Sequence, residues 1–365
     1  MFLSTDQSDN LKTLMKCIQF GEEQTCKSMI AKFDLRRLNK LVRLNFPRYT
    51  DLTVTALLWA VMLRKHSIIE FLLQKGVKVN KSGSYFDVSF VYTYTPLLKA
   101  VENADLRTVD LLLAHGADPQ LNVPGPLNEE EEGGSVQWKK TNSALERSQE
   151  VGINMFKKLL QYADVHREYE GKGHVCLCYA VRKYLRQDME QDVLYPQFII
   201  HIIQHGGTIC KGRMFDGVVQ CELLKALLSV SFNFKFEKDD SGLKIAELNI
   251  LGQYMKVLRL ILLTDYVHSS SIIYSTLKHF LKLQEKRFTC TYLNDESRLN
   301  FEWLVEHCKE PSSLMHICRS TIRKAIERFS PETCNSLPLP TKLKQYLIID
   351  CDISIVDDDT DISLV

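Results

Sequence analysis

Two stretches of this chain share one internal register, and that repetition limits the fold more than any other feature. Thr55-Ala56-Leu57-Leu58-Trp59-Ala60 is followed by Ile69-Glu70-Phe71-Leu72-Leu73 and by Gly76, sixteen residues after Ala60. Forty residues after Thr55 stands Thr95-Pro96-Leu97-Leu98-Lys99-Ala100. It is followed by Thr108-Val109-Asp110-Leu111-Leu112-Leu113 and by Gly116, again sixteen residues after the alanine. Each unit reads as a short helix opened at Thr, a second helix ending in Leu-Leu, and a glycine. One such helix pair cannot cover its own apolar face, so neighbouring pairs must stack and share it.

Weaker copies flank these two. Residues 9–34 contain Leu14, Cys17 in the alanine place, Gly21 and Met29-Ile30. Ser143–Ser148 opens a unit continued by Phe156–Leu160. Val175–Ala180 opens another, finished by Phe198–Ile203 and Gly206-Gly207, with an insertion of about ten residues. Cys221–Ala226 echoes Thr95–Ala100, with Tyr254–Leu263 as its second helix. The small residue (Ala60, Ala100, Ala180, Ala226, with Ser148 and Cys17 elsewhere) lets the two helices of a unit approach closely. The position before it reads Trp59, Lys99, Arg147, Tyr179 and Lys225, a variety that predicts a surface site.

These units resemble the ankyrin repeat. The resemblance implies an all-α fold: an ankyrin-repeat solenoid over residues 1–265, with about six repeats, some degenerate. Insertions are expected at 81–94, 122–141, 185–196 and 232–245. Residues 266–310 read as a degenerate last repeat or a helical linker. Within 81–94, the near-alternating Tyr85, Phe86, Val88, Phe90, Tyr92 and Tyr94 predict an extended finger. Asn122–Lys140 holds Pro124-Gly125-Pro126, four successive glutamates and Gly133-Gly134, the composition of a flexible loop.

Near the C-terminus the pattern changes. Leu314, Cys318 and Ile322 are spaced four apart, one narrow stripe along a helix, and Ile317, Ala325 and Ile326 widen it. Arg319, Arg323 and Lys324 point away from it. Pro311 suits the helix entry, and Ser312 or Ser313 is placed to cap it. Pro338 and Pro340 then hold the backbone extended, before a second stripe of Leu343, Tyr346 and Leu347. Residues 311–349 thus resemble a SOCS box, a small helical module. In that family a small residue followed by the Leu, Cys and Ile pattern binds elongin C, and Leu-Pro-Leu-Pro selects cullin five. The matching residues are Ser313, Leu314, Cys318 and Ile322, then Leu337, Pro338, Leu339 and Pro340.

The two resemblances together are those of the ankyrin repeat and SOCS box proteins. They imply a non-catalytic substrate receptor: the array binds a protein target, and the box recruits elongin C with elongin B and cullin five with its RING subunit. Ubiquitination and proteasomal degradation of the target follow. Target contacts are expected at Trp59, Tyr85, Phe86, Phe90 and Tyr92. The alternative is an ankyrin scaffold that binds partners without ubiquitylating them.

Composition agrees with a soluble protein of ordinary character. The formal net charge is +1, so neither nucleic acid nor a membrane surface is expected as a partner. No apolar run is long enough to span a bilayer, and the N-terminus lacks signal-peptide character. Eleven cysteines without disulfide-like spacing argue for reduced thiols, hence a cytoplasmic or nuclear location. No cofactor is expected. His174, Cys176 and Cys178 fall at a helix start, where residues two apart do not converge on a metal. His201 and His205 lack the glutamate of a zinc protease motif, since position 202 is Ile. No nucleophile elbow or phosphate loop is present. Residues 350–365 read as an acidic disordered tail. Within it Ile353–Val356 resembles a SUMO-interacting segment, and the last three residues resemble a PDZ ligand.

Overall fold

The stretches that predict paired short helices form them. The structure is a computed structural model that describes residues 5–46, 49–87, 90–124, 127–128, 141–168, 175–186, 195–210, 213–215, 218–220, 227, 232–239, 242–250, 252–264 and 314–349. Its contacts divide the chain into two units, Met1–Ala163 and Asp164–Val365.

In the first unit the helix pairs are α1 (Thr5–Phe20) with α2 (Glu23–Lys32), followed by the short α3 (Leu35–Leu38). Then come α4 (Ala56–Met62) with α5 (His66–Gln74), α6 (Pro96–Glu102) with α7 (Leu106–Ala114), and α8 (Ala144–Val151) with α9 (Ile153–Leu160). The first helices touch in series, α1 to α4 to α6 to α8; α2, α5 and α7 form a second series. Each central pair starts on a side-chain cap: Thr55 Oγ1 accepts from Leu58 N at 3.2 Å, and Thr95 Oγ1 from Leu98 N at 3.0 Å. Ser143 and Glu146 make a capping box on α8. Gly76 and Gly116 close α5 and α7 at φ 81° and 82°, the left-handed turn that favours glycine. Ala60 and Ala100 are fully buried, as close helix approach requires.

The expected finger is a hairpin, β3 (Gly83–Asp87) with β4 (Phe90–Tyr94), in the register Tyr85 to Tyr92. It is not alone. A further hairpin, β1 (Val42–Phe46) with β2 (Tyr49–Val54), pairs with it through Asp51–Thr53. Val42, Leu44 and Phe46 alternate in the chain, a period-two signal for this hairpin that the helix repeats overshadowed. The loop expected over 122–141 also contributes strands: β6 (Leu127–Asn128) extends the sheet beyond β4, while β5 (Val123–Pro124) pairs with β7 (Thr141–Asn142). Its polar composition did not prevent pairing, because a neighbouring finger offered an open edge. The helical solenoid therefore carries a five-stranded sheet of order β1-β2-β3-β4-β6.

The second unit contains α10 (Cys176–Arg186) and α11 (Tyr195–Gln204), then the hairpins β8 (Arg213–Phe215) with β9 (Val218–Gln220) and β10 (Phe232–Asp239) with β11 (Gly242–Ile250). The insertion expected over 232–245 is thus a hairpin. Helix α12 (Gly252–Leu263) packs on α11. Three short helices end the described chain: α13 (Leu314–Ala325), α14 (Pro331–Ser336) and α15 (Thr341–Leu347). Residues 187–194, 221–226, 266–310 and 350–365, with the readings made of them, lie outside the described residues.

Candidate adaptor and target surfaces

Helix α13 is amphipathic, and its apolar side faces outward. Leu314 is 75% exposed, Met315 59% and Ile317 47%, and Cys318 is exposed beside them. Ile322 lower on the helix and Ile326 just past its end pack against a small core of Phe329, Cys334 and Leu347. Of the four residues expected to meet elongin C, Leu314 and Cys318 are open and Ile322 is partly covered; Ser313 lies outside the described residues. The Leu-Pro-Leu-Pro residues divide likewise. Leu337 and Leu339 pack against the box core, while Pro338 and Pro340 are exposed.

Arg319 and Arg323 do point away from the stripe, but into the protein: they are only 3% and 7% exposed. Arg323 donates through Nη1 to Leu347 O at 2.7 Å and through Nη2 to Ile203 O, and its guanidinium lies 4.5 Å from the Phe329 ring centre. Leu347 ends α15, and Ile203 lies in the last turn of α11. The buried cation thus meets the negative ends of two helices, which offsets its desolvation in place of a carboxylate. Burial, then the nearby Arg319 charge, pulls Arg323 down to about 10. Arg319 stacks at 4.4 Å over Tyr346. A Cβ on Gly206 would stand 3.1 Å from Phe329 Cβ, so α11 and the box meet closely.

In the first unit a pocket of about 300 Å³ opens between the finger sheet and the first helices. Gln19, Leu52, Trp59, Met62, Leu63, Tyr85 and Lys99 line it. Trp59 is not the surface residue that its variable position predicts. It is 5% exposed, and its indole N–H donates to Met15 O at 3.0 Å. It forms a fixed wall because this bond ties α4 to α1, the first helix of the preceding pair. Tyr85 stacks on Tyr92 at 4.7 Å and on Tyr94 at 5.6 Å. Lys99 Nζ lies 4.7 Å from the Tyr94 ring centre and 3.2 Å from Glu102, which also takes Arg147 at 3.0 Å. Burial, then the Glu102 charge, pushes the Tyr94 hydroxyl well above its ordinary value. The pocket unites Trp59 and Tyr85. Tyr92 backs Tyr85, and Phe86 and Phe90 occupy β3 and β4 by their backbone.

Comparison with known proteins adds two assignments. Residues 14–123 match the family model for ankyrin repeats (three copies), and residues 310–348 match the SOCS box. The chain thus has the arrangement of an ankyrin repeat and SOCS box protein. Among individual relatives, it is 30% identical over 109 residues to the palmitoyltransferase ZDHHC13 of Homo sapiens, covering 30% of this chain. It is 28% identical over the same length to that of Mus musculus. The match spans about 15% of the length of those relatives.

The remaining polar clusters have local partners. Cys176 and Cys178 are buried, and Cys178 Sγ accepts from Cys210 N at 3.3 Å. His201 Nδ1 lies 3.1 Å from Gln204 Oε1, and His205 Nδ1 lies 2.8 Å from His201 O. No group of three or more potential metal ligands occurs among the described residues. No described helix is long and apolar enough to cross a membrane. The sequence reading missed a ladder that joins repeats. Asn39 Oδ1 accepts from Lys78 N at 2.7 Å, Asn80 Oδ1 from Asp118 N at 3.0 Å, and His66 Nε2 meets Asp105 Oδ2 at 2.8 Å. Asn39 and Asn80 stand 41 residues apart (80 − 39), close to the 40-residue step from Thr55 to Thr95, and that was the available signal.

Proposed function

We propose that this protein is the substrate receptor of an elongin–cullin–RING ubiquitin ligase, with its target held by the ankyrin array and its recruiting surface on the box. The outward apolar face of Leu314, Met315, Ile317 and Cys318 carries the reading. Such a face costs free energy in water, and elongin C is the partner that the box pattern implies. Leu314 acts as the anchor. Pro338 and Pro340, which are exposed, contact cullin five, while Leu337 and Leu339 hold them in place from the core. Elongin B joins through elongin C.

On the target side, the pocket walled by Trp59 and Tyr85 receives an apolar side chain of the captured protein. The chain contributes no bond chemistry. It raises the effective concentration of a target lysine near the charged enzyme, and ubiquitination and degradation follow. The decisive experiment is affinity purification of wild type against Leu314→Ala/Cys318→Ala. Loss of a buried anchor costs about 2 kcal/mol or more, so elongin C should fall at least ~30-fold. Targets of the array should accumulate on the variant; undiminished elongin C would overturn the reading.

A further inference from the structure

The first helix pair contains a feature that adaptor function does not use. Cys17 lies in the last turn of α1 and Cys26 in the first half of α2, and their sulfurs are 2.9 Å apart. The Cys26 thiol also lies 2.8 Å from Cys17 O as donor, and Gly21 N–H donates to that carbonyl at 2.7 Å. The turn is built over the pair. A Cβ on Gly21 would stand 2.8 Å from Cys17 Sγ and 2.7 Å from Cys17 O, so glycine is needed for the chain to pass.

A disulfide needs the sulfurs at about 2.05 Å. At 2.9 Å the two sulfurs already stand within about 1 Å of that length. The two thiols differ in access: Cys17 is half-buried and Cys26 is 1% exposed. Burial, then the bond to Cys17, pushes Cys26 up to about 12, which keeps it a protonated thiol at rest. One member can meet a solvent oxidant, and the other waits behind it.

We propose that Cys17 and Cys26 form a redox-sensitive pair that hydrogen peroxide converts to a disulfide stapling α1 to α2. The Cys17 thiolate attacks one peroxide oxygen, the O–O bond breaks, and Cys17 sulfenic acid forms as hydroxide leaves. Cys26 then attacks the Cys17 sulfur. The S–O bond breaks, and the departing hydroxide takes the Cys26 proton as water. The first hydroxide takes up the proton that Cys17 released on ionising, so in sum two thiols lose two protons and two electrons, and peroxide is reduced to two waters. The bridge secures the edge of the target pocket, because α1 carries both Gln19 in its lining and Met15, whose carbonyl holds the Trp59 indole. The chemistry of the pair is independent of the ligase reading.

The test uses the full chain. Trypsin cuts after Lys16 and Lys27, so both cysteines fall in one peptide, residues 17–27. The protein is treated with graded peroxide, quenched in acid, alkylated in denaturant and digested; exposed Cys318 reports the dose. The expected product is peptide 17–27 without alkyl groups and two hydrogen masses lighter than the dithiol, regaining both alkylation sites after reduction. Cys26→Ser should abolish it and leave Cys17 trappable as sulfenic acid. Doubly alkylated 17–27 at doses that oxidise Cys318 would overturn the proposal, as would Cys17 sulfinic acid beside an alkylated Cys26. The bridged wild type should melt at a higher temperature than the reduced form, and Cys26→Ser should show no such rise. An unchanged melting temperature in bridged protein would remove the staple.

Discussion

Helices α7 and α13 are similar in length and both amphipathic, yet they are mounted in opposite senses. In α7 the apolar residues Val109, Leu112 and Leu113 are buried, and Asp110 is exposed. In α13, Leu314, Met315, Ile317 and Cys318 face out, and Arg319 and Arg323 face in. The first arrangement is what a chain does for its own stability. The second leaves apolar area uncovered and offsets two buried guanidinium groups with helix ends and aromatic rings. The contrast separates residues that fold this protein from residues that, on the proposed function, meet another one.

Four changes would break or sharpen that contrast. The largest effect is expected from Leu112→Ala, which empties a site that is 0% exposed in α7. It should destabilise the array by about 2–5 kcal/mol in thermal or urea unfolding and leave elongin C capture intact. Parallel loss of capture would dissolve the distinction between the two helices. Next comes Arg323→Met, which leaves Leu347 O without its guanidinium donor and leaves Ile203 O with the Gly206 N–H alone. A buried carbonyl without its partner costs about 1–3 kcal/mol, so most of the loss is expected at Leu347. Amide exchange should therefore quicken in 195–204 and 341–347, while the Leu314 face, outside this contact, keeps its partner.

The third change divides the Leu-Pro-Leu-Pro segment. Pro338→Ala/Pro340→Ala should lower cullin five capture on the order of tenfold with box stability and elongin C binding retained. Leu337→Ala/Leu339→Ala should instead lower the stability of the box. Equal behaviour of the two pairs in a melting experiment would refute the split. The smallest effect concerns His205, whose proton affinity is lowered by burial, against the pull of the His201 carbonyl and the Glu332 charge. Its folded value lies below the unfolded value of about 6.5, so folding favours the neutral ring. That stability is complete above pH ~6.5 and is lost as pH falls through the lowered folded value. His205→Gln should flatten the melting temperature across that window, and an identical slope in wild type and variant would dismiss the histidine.

Much of the array could be read from the chain. The Thr–Ala–Gly register predicted α4–α7, because caps, small contact residues and left-handed glycines are local requirements. The finger at 83–94 was legible from its alternating aromatics. The hairpin at 42–54 and the strand pairings of 123–128 were not, because an edge strand forms only when a neighbour supplies the other half of its hydrogen bonds. Trp59 was misplaced for a related reason. The equivalent position varies from repeat to repeat, but the residue that accepts its indole proton is Met15, on another repeat.

By itself the sequence determined the repeat architecture, the boundaries of the central helices and the resemblance of residues 311–349 to a SOCS box. These depend on periodicity and on residues a few positions apart. Only the tertiary structure decided which face of α13 is open, that Arg319 and Arg323 are its buried side, and that Pro338 and Pro340 are exposed while their leucines are held. Periodicity shows that a helix has two faces. Burial of either face depends on a surface that arrives from elsewhere in the chain, here the end of α11 and the Phe329–Leu347 core.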